Sequence, residues 1–135
     1  SVYAGATMAK LLLVDDSAEN IAVLTAILVS DGHEVESIED PANVFNTIFR
    51  VHPALILCDV MMPGVDGAML TRMLKRLEAT QGIPVLLCSA LSESELADRC
   101  RACGADGYVR KAALPTEIRN SVRRALRART APSLT

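Results

Sequence analysis

Three short apolar runs, Leu11-Leu12-Leu13-Val14, Leu55-Ile56-Leu57-Cys58 and Val85-Leu86-Leu87-Cys88, constrain this chain more than any other feature. Each is unbroken, bounded by turn-forming or charged residues, and too short for a helix. A strand with one wet face alternates apolar and polar residues. A strand covered on both faces has no such need, and that is the situation inside a parallel sheet. Two weaker stretches extend the set: Glu34-Val35-Glu36-Ser37-Ile38 alternates, and Gly107-Tyr108-Val109-Arg110 is short and mixed. Alternating or charged strands belong at sheet edges. The first, third and fourth strands are therefore expected inside, the second and fifth outside.

Helical spacing fills the gaps. Ser17 has the chemistry of an N-cap, Ile21, Leu24 and Leu28 share one face, and Gly32 supplies a stop. Pro41 opens a second helix from Asp40, with Val44, Phe45 and Ile48 inward. Residues 68–77 place Leu70, Met73, Leu74 and Leu77 at helical spacing. Ser92 with Glu95 forms a capping-box pattern for a fourth helix, and Ile118, Val122 and Leu126 mark a fifth from about Pro115. Strand and helix alternate five times, which predicts an α/β fold: a doubly wound parallel sheet of five strands with five helices and right-handed crossovers.

Length and composition narrow the class. A chain of 135 residues suits one domain. No apolar run approaches the roughly 18 to 20 residues that a membrane span requires, so no membrane partner is expected. Residues 1–7 lack the basic start and apolar block of a signal peptide; residues 1–8 read as a cloning remnant or disordered lead, and 129–135 as a frayed tail. Four cysteines without an export signal point to reduced thiols and a cytoplasmic location. Two Tyr, two Phe and no Trp argue against single-stranded nucleic acid bound by base stacking.

The net charge of -2 conceals an asymmetry. From residue 110 onward seven basic residues face one acid, Glu117, a balance of +6; residues 1–109 carry seven bases and fifteen acids, or -8. The basic segment suggests either a solvated helix face or a partner surface in which Arg119, Arg123 and Arg127, recurring every four residues, meet Glu93, Glu95 and Asp98 of the fourth helix across a two-fold dimer. Direct nucleic-acid binding is not expected of one arginine-bearing helix without a reading element.

In an open parallel sheet, ligands bind beyond the carboxyl ends of the strands. Here those ends carry Asp15-Asp16 on the first strand, Asp59 on the third, Ser89 on the fourth, and Lys111 just past the fifth. Three acids in one small pocket repel one another unless a cation joins them. An all-oxygen set favours a hard divalent ion, with Mg²⁺ the usual choice. A lysine and a hydroxyl alongside suit the remaining oxygens of a phosphoryl group.

The segments Leu-Val-Asp-Asp-Ser at 13–17, Cys-Asp-Val-Met-Met-Pro-Gly-Val-Asp-Gly at 58–67, Ser89-Ala90 and Tyr108-Val109-Arg110-Lys111 together resemble the CheY-like receiver domain of bacterial response regulators, over residues 9–128. The resemblance implies a flavodoxin-like sheet of order 2-1-3-4-5 and the role of phosphoacceptor switch in a two-component system, not a turnover enzyme. It implies Asp59 as phosphoacceptor, taking its phosphoryl group from a sensor histidine kinase or phosphotransfer protein. Mg²⁺ would be held by Asp16, Asp59 and the backbone carbonyl of Met61, with Asp15 acting largely through water. Lys111 would pair with a phosphoryl oxygen, Ser89 would move to it, and Tyr108 would rotate inward. The fourth helix, fifth strand and fifth helix would form the output surface, including a homodimer contact; Met61 and Leu91 stand at positions that tune phosphate lifetime.

One departure stands out: Ala112 follows Lys111 where most receivers have a cis proline, so a trans bond is expected there. An alternative keeps the fold as a pseudo-receiver interaction module acting without phosphate. A haloacid-dehalogenase-like phosphatase wants Asp-x-Asp, whereas Asp15 and Asp16 are adjacent. Other features read as structure: Cys100-x-x-Cys103 as helix packing, Cys58 and Cys88 as buried thiols at matching positions of adjacent strands, His33 and His52 as surface turns, and Met61, Met62, Met69 and Met73 as core and loop packing.

Overall fold

The computed structural model describes residues 8–130. Strands β1 (Lys10–Val14), β2 (Glu34–Ile38), β3 (Leu55–Asp59), β4 (Val85–Ser89) and β5 (Gly107–Arg110) form one sheet, every neighbour parallel, in the order β2-β1-β3-β4-β5. The expected edge strands are the edges. A separate two-residue ladder pairs Met61–Met62 with Val65–Asp66 in antiparallel fashion.

Five helices cover the two faces: α1 (Ala18–Ser30), α2 (Val44–Val51, entered through a 3₁₀ turn at Pro41–Asn43), α3 (Gly67–Arg76), α4 (Glu93–Cys103) and α5 (Pro115–Thr130). The caps explain where several begin. Ser17 Oγ accepts from Asn20 N, Asp40 from Ala42 N, Asp66 from Ala68 N, and Ser92 Oγ from Glu95 N. Gly104 ends α4 at φ +78°, a left-handed conformation that costs glycine little.

The apolar runs are unbroken because each central strand buries both faces. On one face Leu11, Leu13, Leu55, Leu57, Leu86 and Cys88 pack against Leu24 and Leu28 of α1 and Ile118, Val122 and Leu126 of α5. On the other, Leu12, Val14, Ile56, Cys58 and Val85 pack against Val44 and Ile48 of α2 and Leu70 and Leu74 of α3. Each such side chain contributes about 1.5 to 3 kcal/mol of burial. Leu87 completes a third cluster with Leu96 and Cys103 of α4.

Several expectations need correction. Cys58 pairs with Leu87, and Cys88 with Asp59; the one-residue offset sends the two thiols to opposite faces of the sheet. His33 is a buried residue, 5% exposed, whose Nδ1 accepts from Ala9 N at 3.2 Å; His52 is the exposed left-handed cap of α2. Of the methionines at 61, 62, 69 and 73, only Met62 joins the core, while Met61, Met69 and Met73 face solvent, as does Leu77. Arg119 and Arg123 turn toward the end of α1: Arg119 donates to Ser30 Oγ at 3.0 Å, and Arg123 forms a two-pronged pair with Asp31. Those two arginines thus serve this chain's own packing. The Cys100-x-x-Cys103 pair is free and lies in the last turns of α4, Cys103 buried. Residues 1–7 and 131–135, assigned from sequence to the lead and tail, lie outside the described residues.

Candidate functional site at the carboxyl edge of the sheet

The parallel register brings the predicted residues to one rim. Asp15 directly follows β1, Asp59 ends β3, Ser89 ends β4 and Lys111 follows β5. Asp15 and Asp59 are buried and Asp16 is exposed. Carboxylate oxygens of all three lie within 4.8 Å of one another.

Backbone geometry holds each carboxylate. Asp15 Oδ1 accepts from Ser17 N at 2.8 Å, folding the β1–α1 link into a short turn that also presents Ser17 as the cap of α1. Asp59 Oδ1 accepts from Met61 N at 3.2 Å. The other oxygens face Lys111, whose Nζ stands 3.1 Å from Asp15 Oδ2 and 3.2 Å from Asp59 Oδ2. The contact with Asp15 is Coulombic, because that oxygen, though buried, receives no aligned hydrogen bond.

The electrostatics follow from that count. Burial pushes the Asp59 carboxyl above its ordinary value, assisted by the Asp15 charge and resisted by Lys111 and the Met61 amide. Burial works to lower Lys111, but its two carboxylates prevail and hold the ammonium above the usual lysine value. Burial lifts the neighbouring Cys58 and Cys88 thiols to about 12, so neither is a nucleophile at neutral pH. One ammonium among three carboxylates leaves net negative charge, and the unbonded buried oxygen of Asp15 is a vacant acceptor. That donor set fits a hard divalent cation.

Ser89 is fully buried; its Oγ accepts from Leu91 N at 3.2 Å, and its carbonyl accepts from Lys111 N at 2.9 Å. The β4–α4 turn and the Lys111 backbone are thereby tied to the same residue. Tyr108 pairs in register with Leu87, half-buried against the α4 cluster. Among the described residues every peptide bond is trans, so Ala112 follows Lys111 without a cis bond and the ammonium still reaches both carboxylates.

Gly67 was not singled out from sequence, yet it supports the site. A Cβ there would lie 1.8 Å from the Asp59 carbonyl oxygen, so only glycine permits the approach. Its N–H donates to Val60 O at 2.9 Å and its carbonyl accepts from Thr71 Oγ1 at 2.8 Å. The Asp-Gly pair at 66–67 was the available signal.

With this geometry in hand, the chain compares clearly with known proteins. Residues 11–123 match the response regulator receiver domain, and the chain belongs to that family. A gliding motility regulatory protein of Myxococcus xanthus is 38% identical over 109 residues, which cover 81% of this chain and 14% of that protein. The phosphate regulon transcriptional regulatory protein PhoB of Pseudomonas aeruginosa is 34% identical over 122 residues, covering 90% of this chain and 53% of that protein. The chain therefore spans about half the length, or less, of the curated relatives it matches. Among solved structures, the signal receiver domain of a signal transduction histidine kinase from Syntrophus aciditrophicus superposes with a TM-score of 0.82 at 29% identity, covering 94% of this chain and 96% of that one. Receiver domains are signalling domains. No described helix is long and apolar enough to cross a membrane.

Proposed function

We propose that this chain is a phosphorylation switch in which Asp59 accepts a phosphoryl group from a phosphohistidine of a sensor kinase or phosphotransfer protein. The observation that carries the reading is the Lys111 ammonium shared between two buried carboxylates, Asp15 and Asp59, at 3.1 and 3.2 Å, with Asp16 alongside. An Asp59 oxygen attacks phosphorus, the new P–O bond forms as the P–N bond breaks, and the leaving imidazole nitrogen keeps the electron pair. Asp15, Asp16, Asp59 and the Met61 carbonyl would hold Mg²⁺, which when bound neutralises phosphoryl oxygens. Catalysis of this kind is positioning and charge neutralisation, and the chain's own contribution is clear. The Met61 amide orients the nucleophile and Lys111 offers its charge to the incoming oxygens.

The readout follows from what the new dianion attracts. Ser89 Oγ, engaged among the described residues only with the Leu91 amide, is a hydroxyl donor one residue past the register partner of Asp59. Its move toward the phosphoryl group would release the β4–α4 turn and let Tyr108 swing into the space beside α4. The surface altered is that of α4, β5 and α5, where a cavity of about 290 Å³ lies among Glu93, Tyr108, Arg110 and Glu117. That surface would carry any homodimer contact. A cytoplasmic location accords with kinase access.

The test is intact mass after incubation with phosphoramidate and Mg²⁺. One phosphoryl adduct is expected on the native chain and none on Asp59→Asn. An unmodified native chain would support the phosphate-independent interaction module instead, and an adduct surviving in Asp59→Asn would place the acceptor elsewhere.

A further inference from the structure

The outer face of α3 carries a surface that neither the carboxyl-edge site nor the core uses. Met69, Met73 and Leu77 recur every fourth residue and are 64%, 48% and 45% exposed. Three large apolar side chains therefore form a ridge down the solvent side of the helix and its cap. Arg72 and Arg76 flank the ridge at the same spacing, both exposed. Arg72 donates to the Ala102 carbonyl at 2.9 Å, fastening α3 to α4, and among the described residues neither guanidinium meets a carboxylate.

The ridge is continued by a groove. Hollows of about 230 and 600 Å³ share Asp66 and Arg99, and run from Met69 between α3 and α4 to Asp16, Met61 and Pro63, where they open onto the carboxyl-edge site. Five of the seven basic residues in the acidic body (Arg72, Lys75, Arg76, Arg99 and Arg101) fall within residues 72–101. Lys75 is locked to Asp106 and Arg101 pairs with Asp98, while Arg99 stands only loosely, at 3.9 Å, from Asp66. Arg72, Arg76 and Arg99 are thus the charges left for an outside partner.

We infer that this face docks an amphipathic α-helix of another protein, its apolar stripe laid along Met69, Met73 and Leu77 and its acidic flanks meeting Arg72, Arg76 and Arg99. The four-residue repeat matches helix-on-helix packing. Methionine adapts its shape to the facing side chain. Arg72 and Arg76, which meet no carboxylate among the described residues, and the loosely held Arg99 select carboxylates and disfavour cations. A second copy of the chain does not supply the required element. α4 has the acids Glu93, Glu95 and Asp98, but its Leu96 is buried; α1, with Val23 and Val29 exposed, has Glu19 as its only acid.

The test uses no phosphoryl donor, so its outcome is separate from that of the switch. The probe is a fluorescent designed helical peptide with leucine at every fourth position and glutamate on both flanks; a twin carries lysine in place of glutamate. Anisotropy with the native chain is expected to show the acidic peptide binding about tenfold more tightly than the basic one. Reversing the surface charge with Arg72→Glu plus Arg76→Glu is expected to invert that preference. Met69→Gln plus Met73→Gln is expected to weaken the acidic peptide about tenfold with little change in melting temperature, because both side chains are largely exposed and glutamine keeps the helix propensity of methionine. Equal binding of the two peptides, or a preference that survives the charge reversal, overturns the proposal. So does sedimentation showing that the chain self-associates and that Met73→Gln abolishes the association.

Discussion

Two lysines, one at each edge of the central sheet, are almost equally shielded, with side-chain exposures of 17% for Lys75 and 19% for Lys111. They are used in opposite ways. At the amino edge Lys75 meets Asp106 at 2.7 Å and the carbonyls of Gln81 and Ile83 at 3.1 and 2.9 Å, three acceptors for its three N–H bonds. Asp106 in turn accepts from Val85 N, so the set is closed. At the carboxyl edge Lys111 divides itself between Asp15 and Asp59, one buried oxygen lacks a hydrogen bond, and a third carboxylate stands near. A closed set of charges holds a fold together. An open set holds chemistry in reserve, because its remaining demands are met only by something that arrives from outside.

The sharpest way to break the comparison is at Gly67, on which the open set leans. Gly67→Ala forces the α3 entry away from the Asp59 carbonyl and is expected to cost about 3 kcal/mol in denaturant unfolding, with loss of phosphorylation. Exchanging the fates of the lysines comes next. Lys111→Ala is expected to slow phosphoryl incorporation about a hundredfold, and also to lower stability, because Asp15 and Asp59 are left buried without their countercharge. Lys75→Ala is expected to lower stability by about 1.5 kcal/mol and to leave the incorporation rate intact. If Lys75→Ala slows incorporation as much as Lys111→Ala does, the distinction between the two edges falls.

The smallest effect concerns Asp59 itself. Its raised pKa means that the ionised carboxylate is less favourable folded than unfolded. That cost is present at neutral pH, begins to shrink as pH falls to the raised folded value, and is gone below the ordinary 3.8. Asp59→Asn is thus expected to be more stable than the native chain near neutrality, with the gap closing in acid. Thermal melts across pH measure it; a gap that widens in acid would reverse the sign assigned to burial.

How far the sequence carried this reading depends on which force governed each element. β1, β3 and β4 were legible because double-sided burial leaves an unalternated apolar run, and α1 and α4 because their caps are local hydrogen bonds. The site was legible because strand ends in a parallel sheet converge by topology. Non-local choices were not legible. Nothing local sets the one-residue offset between β3 and β4 that parts Cys58 from Cys88. His33 looked like a turn residue, yet the amide of Ala9, far off in sequence, takes its nitrogen inside. Leu70, Met73, Leu74 and Leu77 stand at helical spacing, and only the crossing of α3 over the sheet decides that Leu70 and Leu74 are buried while Met73 and Leu77 face solvent.

The clasp between α1 and α5 has a consequence for the order of synthesis. Arg123 and Asp31 are 92 residues apart, and Ile118, Val122 and Leu126 are part of the lid on Leu11, Leu13, Leu24 and Leu28. As the chain leaves the ribosome, α1 and one face of β1 wait, greasy and uncovered, until α5 has emerged. Such long-range closure is slow and exposes the nascent chain to aggregation. This domain is most vulnerable in the interval just before α5 docks.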